Sequence, residues 1–323
     1  MPGQHPVHPH MSRTEIVLVS YHSSSHVEEL VAGWPTELAV VVVDNARGVD
    51  GLEDFAGVHP NVRYVDGGGQ GFGRAANLGA FSTEREFVVF VNPDCRPSVD
   101  DLESLVAGLA SDPGAASHAA TMTGHDGRIE AGVGGWEPSL RRLLVHALGL
   151  GRLLLPTAGM FAFPKPGEHC DVGWTTGACM VVAAERFRQL GGFDETFYVY
   201  SEDVSFGRSA RLAGLRTVLR EDVLVRHGFG NSGAPSLEMH RLRGASGAGY
   251  LTRYHQAKAW PMRVLMVLGA VIRGLAALVR GRRGVAAQEW AFIVGMVTMK
   301  AYVGGREVAA QRYAEVTGST RTA

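Results

Sequence analysis

Four short apolar runs, separated by stretches of helical character, constrain the fold of this chain more than any other feature of its sequence. Each run is rich in β-branched or aromatic residues, as buried strands are, and they lie at 15–20, 38–43, 62–65 and 87–91. Helical patterns lie between them near 26–33 and 73–82. Near-continuous apolar strands that alternate with helices predict an α/β fold, with a mostly parallel sheet covered on both faces.

Acidic residues follow two of these strands directly. Asp44 comes after the second run, and Asp94 closes the Asn92-Pro93-Asp94 turn after the fourth. Ligands of parallel sheets bind beyond the carboxyl ends of the strands. Asp44 could accept a hydrogen bond from a base or ribose, and Asp94 could hold a divalent cation on a diphosphate. Each could equally be a turn residue, and both interpretations stay open.

A glycine-rich segment, GGGQGFGRAAN, spans 67–77. Its GFGRAA part matches the dinucleotide-binding pattern G-x-G-x-x-A, which belongs to the first βα turn of that fold, whereas two strands precede the segment here. A turn whose backbone approaches a nucleotide, with Arg74 near the phosphates, is the second interpretation.

The second half of the chain is less regular. Residues 111–170 are predicted to be irregular, with a long mobile loop at 146–170 that could be an acceptor lid. The elements expected around this region are a helix capped by Ser98, a strand-like segment at 172–183, helices at 185–190 and from Glu202 to Gly214, and strands at 216–219 and 223–226.

Three polar side chains in the second half could carry chemistry. Glu202 and Asp203 open a helix, where the helix dipole stabilises an anion, so a carboxylate there stays available as a base. They could also be ordinary first-turn charge. His227 follows the strand DVLVR and could be structural, or it could join Asp94 as a neutral imidazole ligand of a metal.

The region beyond about residue 236 changes character. Residues 262–280 are apolar except for Arg263, Arg273 and Arg280, which fall within about 100° of one another on a helix. This pattern predicts either a basic amphipathic helix in a membrane interface or a helix packed on the main domain with a solvated arginine stripe. No window reaches 18 uninterrupted apolar residues, so a spanning helix is not expected.

Charge and cysteine content exclude some classes of protein. With 31 Lys and Arg against 32 Asp and Glu among 323 residues, the net charge of −1 argues against a protein that coats nucleic acid. Three cysteines without ligand spacing cannot form a disulfide framework and fit a reducing, cytoplasmic compartment. The His- and Pro-rich start has no apolar core, so residues 1–13 are expected to be a disordered tail rather than a secretory signal.

Taken in order, the motifs form a specific series: VSYHSS (19–24), VVVDN (41–45), GFGRAAN (71–77), VNPD (91–94), WTTGA (174–178), GGFDE (191–195), SED (201–203) and VRHGFGNS (225–232). Over about residues 15–235 the chain resembles the family 2 glycosyltransferases of the GT-A fold, and among them the rhamnosyltransferase-like branch. Where that branch usually has asparagine, this chain has His22 and Gly69. The QxxRW element of processive members is absent, which favours addition of a single sugar.

The resemblance implies a GT-A nucleotide-binding domain with a C-terminal helical extension. A nucleotide-sugar-binding half would span 14–115, an acceptor-binding and catalytic half 116–235, and a helical, membrane-interfacial or packed region 236–323. The implied reaction is inverting and needs Mg²⁺ or Mn²⁺. It would move one sugar, with L-rhamnose from dTDP-β-L-rhamnose as the best match, to a hydroxyl of a glycan or polyprenyl-diphosphate-linked acceptor in cell-envelope polysaccharide synthesis. A peripheral position on the cytoplasmic membrane face and a homo-oligomer are compatible with this sequence.

The resemblance also assigns roles to residues. Asp203 would be the catalytic base with Glu202 beside it, and Asp94 and His227 would hold the metal. The donor would meet Tyr21, Asp44, Gly71, Arg74, Asn77, Asn92 and Asp94, and the acceptor would meet Trp174, Gly177 and Ala178. Asp44, Asp94 and Asp203 should then converge on one diphosphate pocket. An NAD(P)-dependent oxidoreductase that uses GFGRAA and a non-catalytic sugar-nucleotide-binding or membrane scaffold are the alternatives.

Overall fold

The computed structural model describes residues 8–130, 132–152, 157–163, 167, 169–228 and 236–299. The strands are β1 (Thr14–Ser20), β2 (Ala39–Asp44), β3 (Val62–Asp66), β4 (Phe87–Val91), β5 (Cys95–Arg96), β6 (Ala115–Thr123), β7 (Gly134–Gly135), β8 (His169–Val172), β9 (Trp174–Thr175), β10 (Cys179–Ala183) and β11 (Arg216–His227). The helices are α1 (Ser24–Ala32), α2 (Leu52–Gly57), α3 (Phe72–Phe81), α4 (Val99–Ala110), α5 (Leu140–Ala147), α6 (Ala184–Gln189), α7 (Glu202–Leu212), α8 (Ser236–Tyr254), α9 (Ala259–Val279) and α10 (Arg283–Thr298).

Nine strands of the described residues form the main sheet, in the order β3-β2-β1-β4-β10-β6-β11-β5 with β8 beside β11. The first four are parallel, β10 runs antiparallel between β4 and β6, and β11 is again parallel to β6. The register sets Ser20 beside Asp44 and Leu18 beside Val91. The carboxyl ends of β1, β2 and β4 therefore meet at one edge of the sheet.

The continuous apolar strands are explained by burial on both faces of the sheet. In β2, Val40 and Val42 belong to a core shared with α1, α2 and α4, whereas Val41 and Val43 belong to a core shared with α3, α6 and α7. All four are at most 1% exposed. The predicted α/β sheet with helices on both faces is confirmed.

The helix expected after Ser98 is also present, and its start is stabilised by a reciprocal cap. The Ser98 hydroxyl accepts a hydrogen bond from the Asp101 amide at 3.1 Å, and the Asp101 carboxylate accepts one from the Ser98 amide at 2.8 Å. This is the capping box that the spacing predicts.

The prediction that 111–170 is irregular is wrong for much of that range. Strand β6 runs through the middle of the sheet with eight of its nine residues buried, and α5 follows it. The β6 sequence AASHAATMT lacks β-branched apolar residues and includes a histidine, so its strand character was hidden. His118 on this strand is buried, and its Nε2 atom lies 3.3 Å from the Asp112 carboxylate, which gives the ring a polar partner. The strands predicted at 216–219 and 223–226 form one strand, β11, with an irregularity between Arg220 and Leu224.

Residues 8–13 are ordered, contrary to the predicted disordered tail. Met11 is 4% exposed, and the Nδ1 atom of His10 lies 2.6 Å from the Glu103 carboxylate on α4. Residues 1–7 lie outside the described residues. In the predicted mobile loop, 157–163 is ordered: Ala162 is buried and its amide donates to the Gly134 carbonyl at 2.8 Å.

The C-terminal helices α8, α9 and α10 pack on one another and on the main domain. Helices α8 and α10 touch closely at Gly244 and Gly295, where any Cβ atom would overlap a backbone carbonyl of the other helix. Among the described residues, one segment, Gln256–Val279, is long and apolar enough by length and composition to cross a membrane, with a mean hydropathy of 2.0.

The predicted solvated arginine stripe on α9 is wrong for Arg263 and Arg273, whereas Arg280 is exposed. The Arg263 guanidinium donates to the carbonyls of Met296 and Val297 at the end of α10, at 2.7 and 3.1 Å. The Arg273 guanidinium forms a two-pronged ion pair with Glu289 of α10, at 2.8 and 2.9 Å. Both arginines thus link α9 to α10, and the solvent-exposed side of α9 is apolar.

Candidate active site

Asp94 and His227 meet beyond the end of β4, as the sequence predicts for a metal site. The Asp94 carboxylate lies 3.4 Å from Nε2 of His227, because β11 pairs with β5 and sets His227 beside Cys95. On the other side of the ring, Nδ1 lies 2.9 Å from the Glu130 carboxylate. Burial lowers the pKa of His227, but hydrogen bonds and charge from the two carboxylates outweigh it and raise the pKa to about 9.

This arrangement fits a divalent cation. Asp94 and His227 offer an oxygen and a nitrogen that converge on one point, and Glu130 orients the ring through its other nitrogen, as a second carboxylate commonly does for a metal-binding histidine. Cys95 also lies within reach. Its thiol is buried, donates to the Ala178 carbonyl at 3.3 Å and has a pKa raised well above the usual range by burial, which favours the protonated thiol.

The predicted acceptor residues lie directly behind this site. The Ala178 carbonyl accepts a hydrogen bond from the Asn92 amide at 2.7 Å and so holds the Asn92-Pro93-Asp94 turn. Trp174 and Ala178 are 6% and 5% exposed, and Trp174 packs against Gly207 of α7. Gly177 faces the rings of Phe72 and Phe193. Trp174 and Ala178 therefore have a structural role next to the site, and their predicted contact with an acceptor stays a prediction.

Glu202 and Asp203 begin α7 immediately after a strained turn. Tyr200 and Ser201 both adopt left-handed backbone angles, with φ of 65° and 74°, which non-glycine residues rarely do. Asp203 accepts a hydrogen bond from the Val204 amide at 2.8 Å. Glu202 is 5% exposed, and its Oε2 atom is buried without a hydrogen bond. Burial raises the pKa of both carboxyl groups, and the Asp203 charge raises that of Glu202 further.

Helix α8 holds this strained turn in place. The Ser246 hydroxyl donates to the Val199 carbonyl at 2.7 Å, and the Arg243 guanidinium lies 4.7 Å from the centre of the Tyr200 ring. The Tyr254 hydroxyl lies 2.9 Å from the Ser205 hydroxyl on α7. The C-terminal helical region is thus part of the support of the candidate catalytic pair.

The glycine-rich turn packs closely against the backbone of Tyr198. Gly71 has a φ of 102°, and a Cβ atom there would overlap the Tyr198 carbonyl oxygen. That oxygen accepts the hydrogen bond of the Phe72 amide, at 2.8 Å, so this amide at the start of α3 is already used. Gly71 thus allows close packing of two backbone segments, and its predicted contact with the donor stays a prediction. Arg74, half-buried on α3, contacts Gln70.

Asn77 was predicted to bind the donor, and the structure gives it another role. Its side-chain amide donates to the Phe193 carbonyl at 2.9 Å and to Glu195 at 3.0 Å, and its oxygen accepts from the Phe193 amide at 2.9 Å. The side chain is 2% exposed. All of its hydrogen-bonding groups are used to fix the 193–195 turn that leads to Glu202.

Asp44 is fully buried and shapes its own loop. Its carboxylate accepts hydrogen bonds from the amides of Ala46 and Gly48, at 2.7 and 2.6 Å, and from the Tyr64 hydroxyl at 3.2 Å. Burial and this carboxylate raise the pKa of Tyr64 to about 12. These bonds fit the turn-forming interpretation of Asp44, and its predicted contact with the nucleotide stays a prediction. Tyr21, at the end of β1, is 41% exposed and open to a ligand.

A chain of backbone contacts joins these groups along the sheet edge. The Gly67 amide donates to the Asp44 carbonyl at 2.8 Å, Gly71 packs on Tyr198, and Gly73 faces Glu202. Asp44 and the Glu202-Asp203 pair therefore flank the same glycine-rich segment. Two cavities of about 250 Å³ each lie elsewhere, beside α9.

Comparison with known proteins agrees with this geometry. Residues 23–150 match the family model described as Glycosyl transferase family 2. The N-acetylglucosaminyl-diphospho-decaprenol L-rhamnosyltransferase of Mycobacterium tuberculosis is 30% identical over 233 residues, which cover 66% of this chain and 75% of that relative. The rhamnosyltransferase WbbL of Escherichia coli is 24% identical, over 62% of this chain and 78% of that relative. The chain belongs to glycosyl transferase family 2.

The fold of this glycosyltransferase is the predicted GT-A type. The mannosyltransferase PcManGT from Pyrobaculum calidifontis, solved with GDP-Man and Mn²⁺, superposes with a TM-score of 0.55 at 17% identity, covering 89% of this chain and 86% of that one. The enzyme class contradicts the oxidoreductase alternative for GFGRAA. The non-catalytic scaffold alternative is likewise set aside.

Two acidic residues near the candidate site residues carry no signal among the sequence motifs: Glu130, which contacts His227, and Asp50, which interacts with Asp44. Glu130 lies in a segment without any motif, and only the fold brings it to His227. Asp50 lies six residues after Asp44, and both its oxygens are shielded from solvent. Burial and the Asp44 charge raise the pKa of Asp50 against the opposing effect of backbone amides, including that of Ser23. In the sequence, the only indication of Asp50 is its spacing from Asp44 in the segment DNARGVDG.

Proposed function

We propose that this glycosyltransferase is an inverting, metal-dependent enzyme that moves L-rhamnose from dTDP-β-L-rhamnose to a hydroxyl of a lipid-linked glycan acceptor. The observation that carries the proposal is the placement of two groups by the carboxyl ends of the parallel strands: the Asp94–His227 pair beyond β4, and the Glu202-Asp203 pair, whose Glu202 faces Gly73 in the segment after β3. The names of the relatives support the sugar and the acceptor class.

Asp94 and His227 would hold Mg²⁺ or Mn²⁺, with Glu130 fixing the orientation of the imidazole. A cation bound there supplies positive charge to a diphosphate leaving group. Coordination through Nε2 needs the neutral imidazole, so the cation would take the place of a proton on His227. Tyr21, Asn92 and Arg74 remain the proposed contacts of the donor, and Asp50 joins them.

Asp203 is the proposed catalytic base. It would take the proton from the acceptor hydroxyl while that oxygen forms a bond to the anomeric carbon. The bond from this carbon to the diphosphate oxygen breaks on the opposite face, and its electron pair leaves with the diphosphate, so the configuration inverts. A positioned base contributes about 10²–10⁴ in rate. Burial and the Asp203 charge raise the pKa of Glu202, which favours the neutral form of Glu202 beside the base.

A cytoplasmic enzyme at the inner membrane surface follows from this proposal, because a polyprenyl-linked acceptor is held in the bilayer. The enzyme would then take part in the synthesis of a cell-envelope polysaccharide. The 30% identical relative, whose name includes a diphospho-decaprenol acceptor, supports this placement.

Ligand-dependent thermal stability tests the donor and the metal together, because a ligand that binds only the native state raises the melting temperature. We expect dTDP-β-L-rhamnose with Mn²⁺ to stabilise the wild type more than UDP- or GDP-sugars do, and Asp94→Ala to abolish the Mn²⁺-dependent part. Asp100→Ala, whose side chain is 76% exposed on α4, is the control and should behave as the wild type. Equal shifts with every donor would refute the rhamnose assignment, and an unchanged Mn²⁺ effect in Asp94→Ala would refute the metal site.

A further inference from the structure

Helix α9 presents a continuous apolar face to solvent. Its members are between 39% and 74% exposed: Trp260, Val264, Leu268, Val271, Ile272, Leu275 and Leu278. At 100° per residue they fall within an arc of about 120°. The opposite side is buried against the protein through Met262, Gly269, Ala270 and Ala277. We call the exposed set the α9 face.

The distribution of charge on α9 is the reverse of that on a surface helix of a soluble protein, which turns its charges to water. Arg263 and Arg273 point to the protein and bond α10. The α9 face itself contains no charged residue over nearly the whole helix. Since exposed contiguous apolar surface marks a site of interaction, the α9 face needs an apolar partner.

Helix α5 extends this surface. Leu140, Leu144 and Leu148 are spaced four residues apart and are 38%, 44% and 50% exposed. Helix α5 packs on α9 at Gly269, where a Cβ atom would lie 2.9 Å from the Cα atom of Ala147. Leu148 and Ile272 line the same cavity of about 250 Å³, so the leucine stripe and the α9 face meet there.

The residues at the two ends of α9 indicate what the partner is. Exposed Lys258 and Trp260, the latter 74% exposed, lie at its start, and exposed Arg280, Arg282 and Arg283 follow its end. Tryptophan and basic side chains around an apolar surface suit the headgroup region of an anionic bilayer.

We propose that the α9 face and the α5 leucines dock the enzyme on an anionic lipid bilayer, with α9 lying in the plane of the membrane. The inference rests on the proposed function, because the proposed acceptor is presented by a membrane lipid. Helix α9 lies on the bilayer rather than spanning it. A spanning helix would expose to hydrocarbon the side that carries Arg273, and would break the ion pair of that residue with Glu289.

Vesicle flotation of the full chain tests this surface. Vesicles of equal parts phosphatidylglycerol and phosphatidylcholine are compared with pure phosphatidylcholine, using the wild type, Leu268→Glu/Leu275→Glu and the control Val58→Glu/Leu212→Glu. The control residues are 76% and 72% exposed and lie on α2 and α7, away from the α9 face, so the two variants match in charge and number of substitutions. We expect the face variant to lose at least about tenfold in partitioning to anionic vesicles, since burial of each leucine in an apolar medium contributes about tenfold or more. The control should partition as the wild type does.

Three results would overturn the proposal. The first is equal flotation of both variants, and the second is failure of the wild type to bind anionic vesicles. The third is a wild type and control variant that are dimers in light scattering while the face variant is a monomer, which would make the surface an interface between two copies. If the glutamate variant does not fold by circular dichroism, Leu268→Gln/Leu275→Gln replaces it.

Turnover separates this inference from the proposed function. With a water-soluble acceptor analogue that carries a short alkyl chain, the face variant should react as the wild type does, and it should lose activity only on acceptor embedded in vesicles. Vesicle binding without turnover on either acceptor would refute the proposed acceptor and leave the docking surface standing. Equal turnover of the face variant and the wild type on embedded acceptor would refute a role for docking in catalysis.

Discussion

Replacement of Asp203 by asparagine should separate catalysis from folding in this enzyme. Asparagine has the same shape and keeps an oxygen that can accept the 2.8 Å hydrogen bond of the Val204 amide, so the start of α7 should be unchanged. It cannot take a proton from an acceptor hydroxyl. We expect turnover to fall by about 10²–10⁴, which corresponds to about 3–5 kcal/mol of transition-state stabilisation, with donor binding nearly unchanged.

The same substitution should increase stability. The folded-state pKa of Asp203 is raised by burial above its unfolded value, so the charged form is disfavoured in the native state. The native state is therefore destabilised as the pH rises from the unfolded pKa of about 3.9 to the folded pKa of about 6, and the effect vanishes below that range, where both states are protonated. At neutral pH, Asp203→Asn should increase the free energy of unfolding by something on the order of 1–3 kcal/mol.

Urea unfolding at several pH values and steady-state kinetics measure the two effects. The stability gain should shrink as the pH is lowered, and the acid limb of wild-type kcat/KM should lie above the ordinary aspartate pKa of about 3.9. Ser209→Ala, on the same helix, is a suitable control for both assays. Wild-type turnover in Asp203→Asn, or a loss of stability that is independent of pH, would show that Asp203 is not a base held in a buried site.

Two further substitutions test the supports of the site. Gly71→Ala should cost at least about 1–3 kcal/mol and lower turnover, because φ is 102° and the methyl group meets the Tyr198 carbonyl next to the catalytic turn; an unchanged melting curve would disprove that packing. Ser98→Ala removes a helix cap far from the chemistry and should cost about 0.5–2 kcal/mol with kcat unchanged, as read by urea unfolding and turnover. A change in kcat there would mean that α4 supports the site directly.

The first half of the fold could be predicted because each strand has both faces buried. A strand such as β2 must then be apolar at every position, and its end is marked by the first polar residue. Strand β6 is as buried as β2 but is built mostly from alanine, serine and threonine, with His118 and Met122 as its larger residues, since helices pack closely on both of its faces. Small residues carry no periodic signal, so the sequence could not reveal it.

The candidate site was predictable in part. Carboxylates at strand ends and helix starts are visible in sequence, and this is how Asp94, Glu202 and Asp203 were found. Whether a polar side chain faces a ligand or its own backbone is decided by contacts that are distant in sequence. Asn77 is the example, since its partners Phe193 and Glu195 lie 116 and 118 residues away.

The arginines of α9 are a second case in which contacts distant in sequence decide which way a side chain faces. A period of 3.6 residues identifies which side chains share a side of a helix, and it does not say which side faces water. Charge usually settles that question, because an unpaired buried arginine is costly. Here Glu289 and the free carbonyls at the end of α10 accept the hydrogen bonds of Arg273 and Arg263, so the charged side can face inward. The outward side is then free to be apolar, and α8, in contact with both α9 and the turn before Glu202, joins that surface to the candidate catalytic pair.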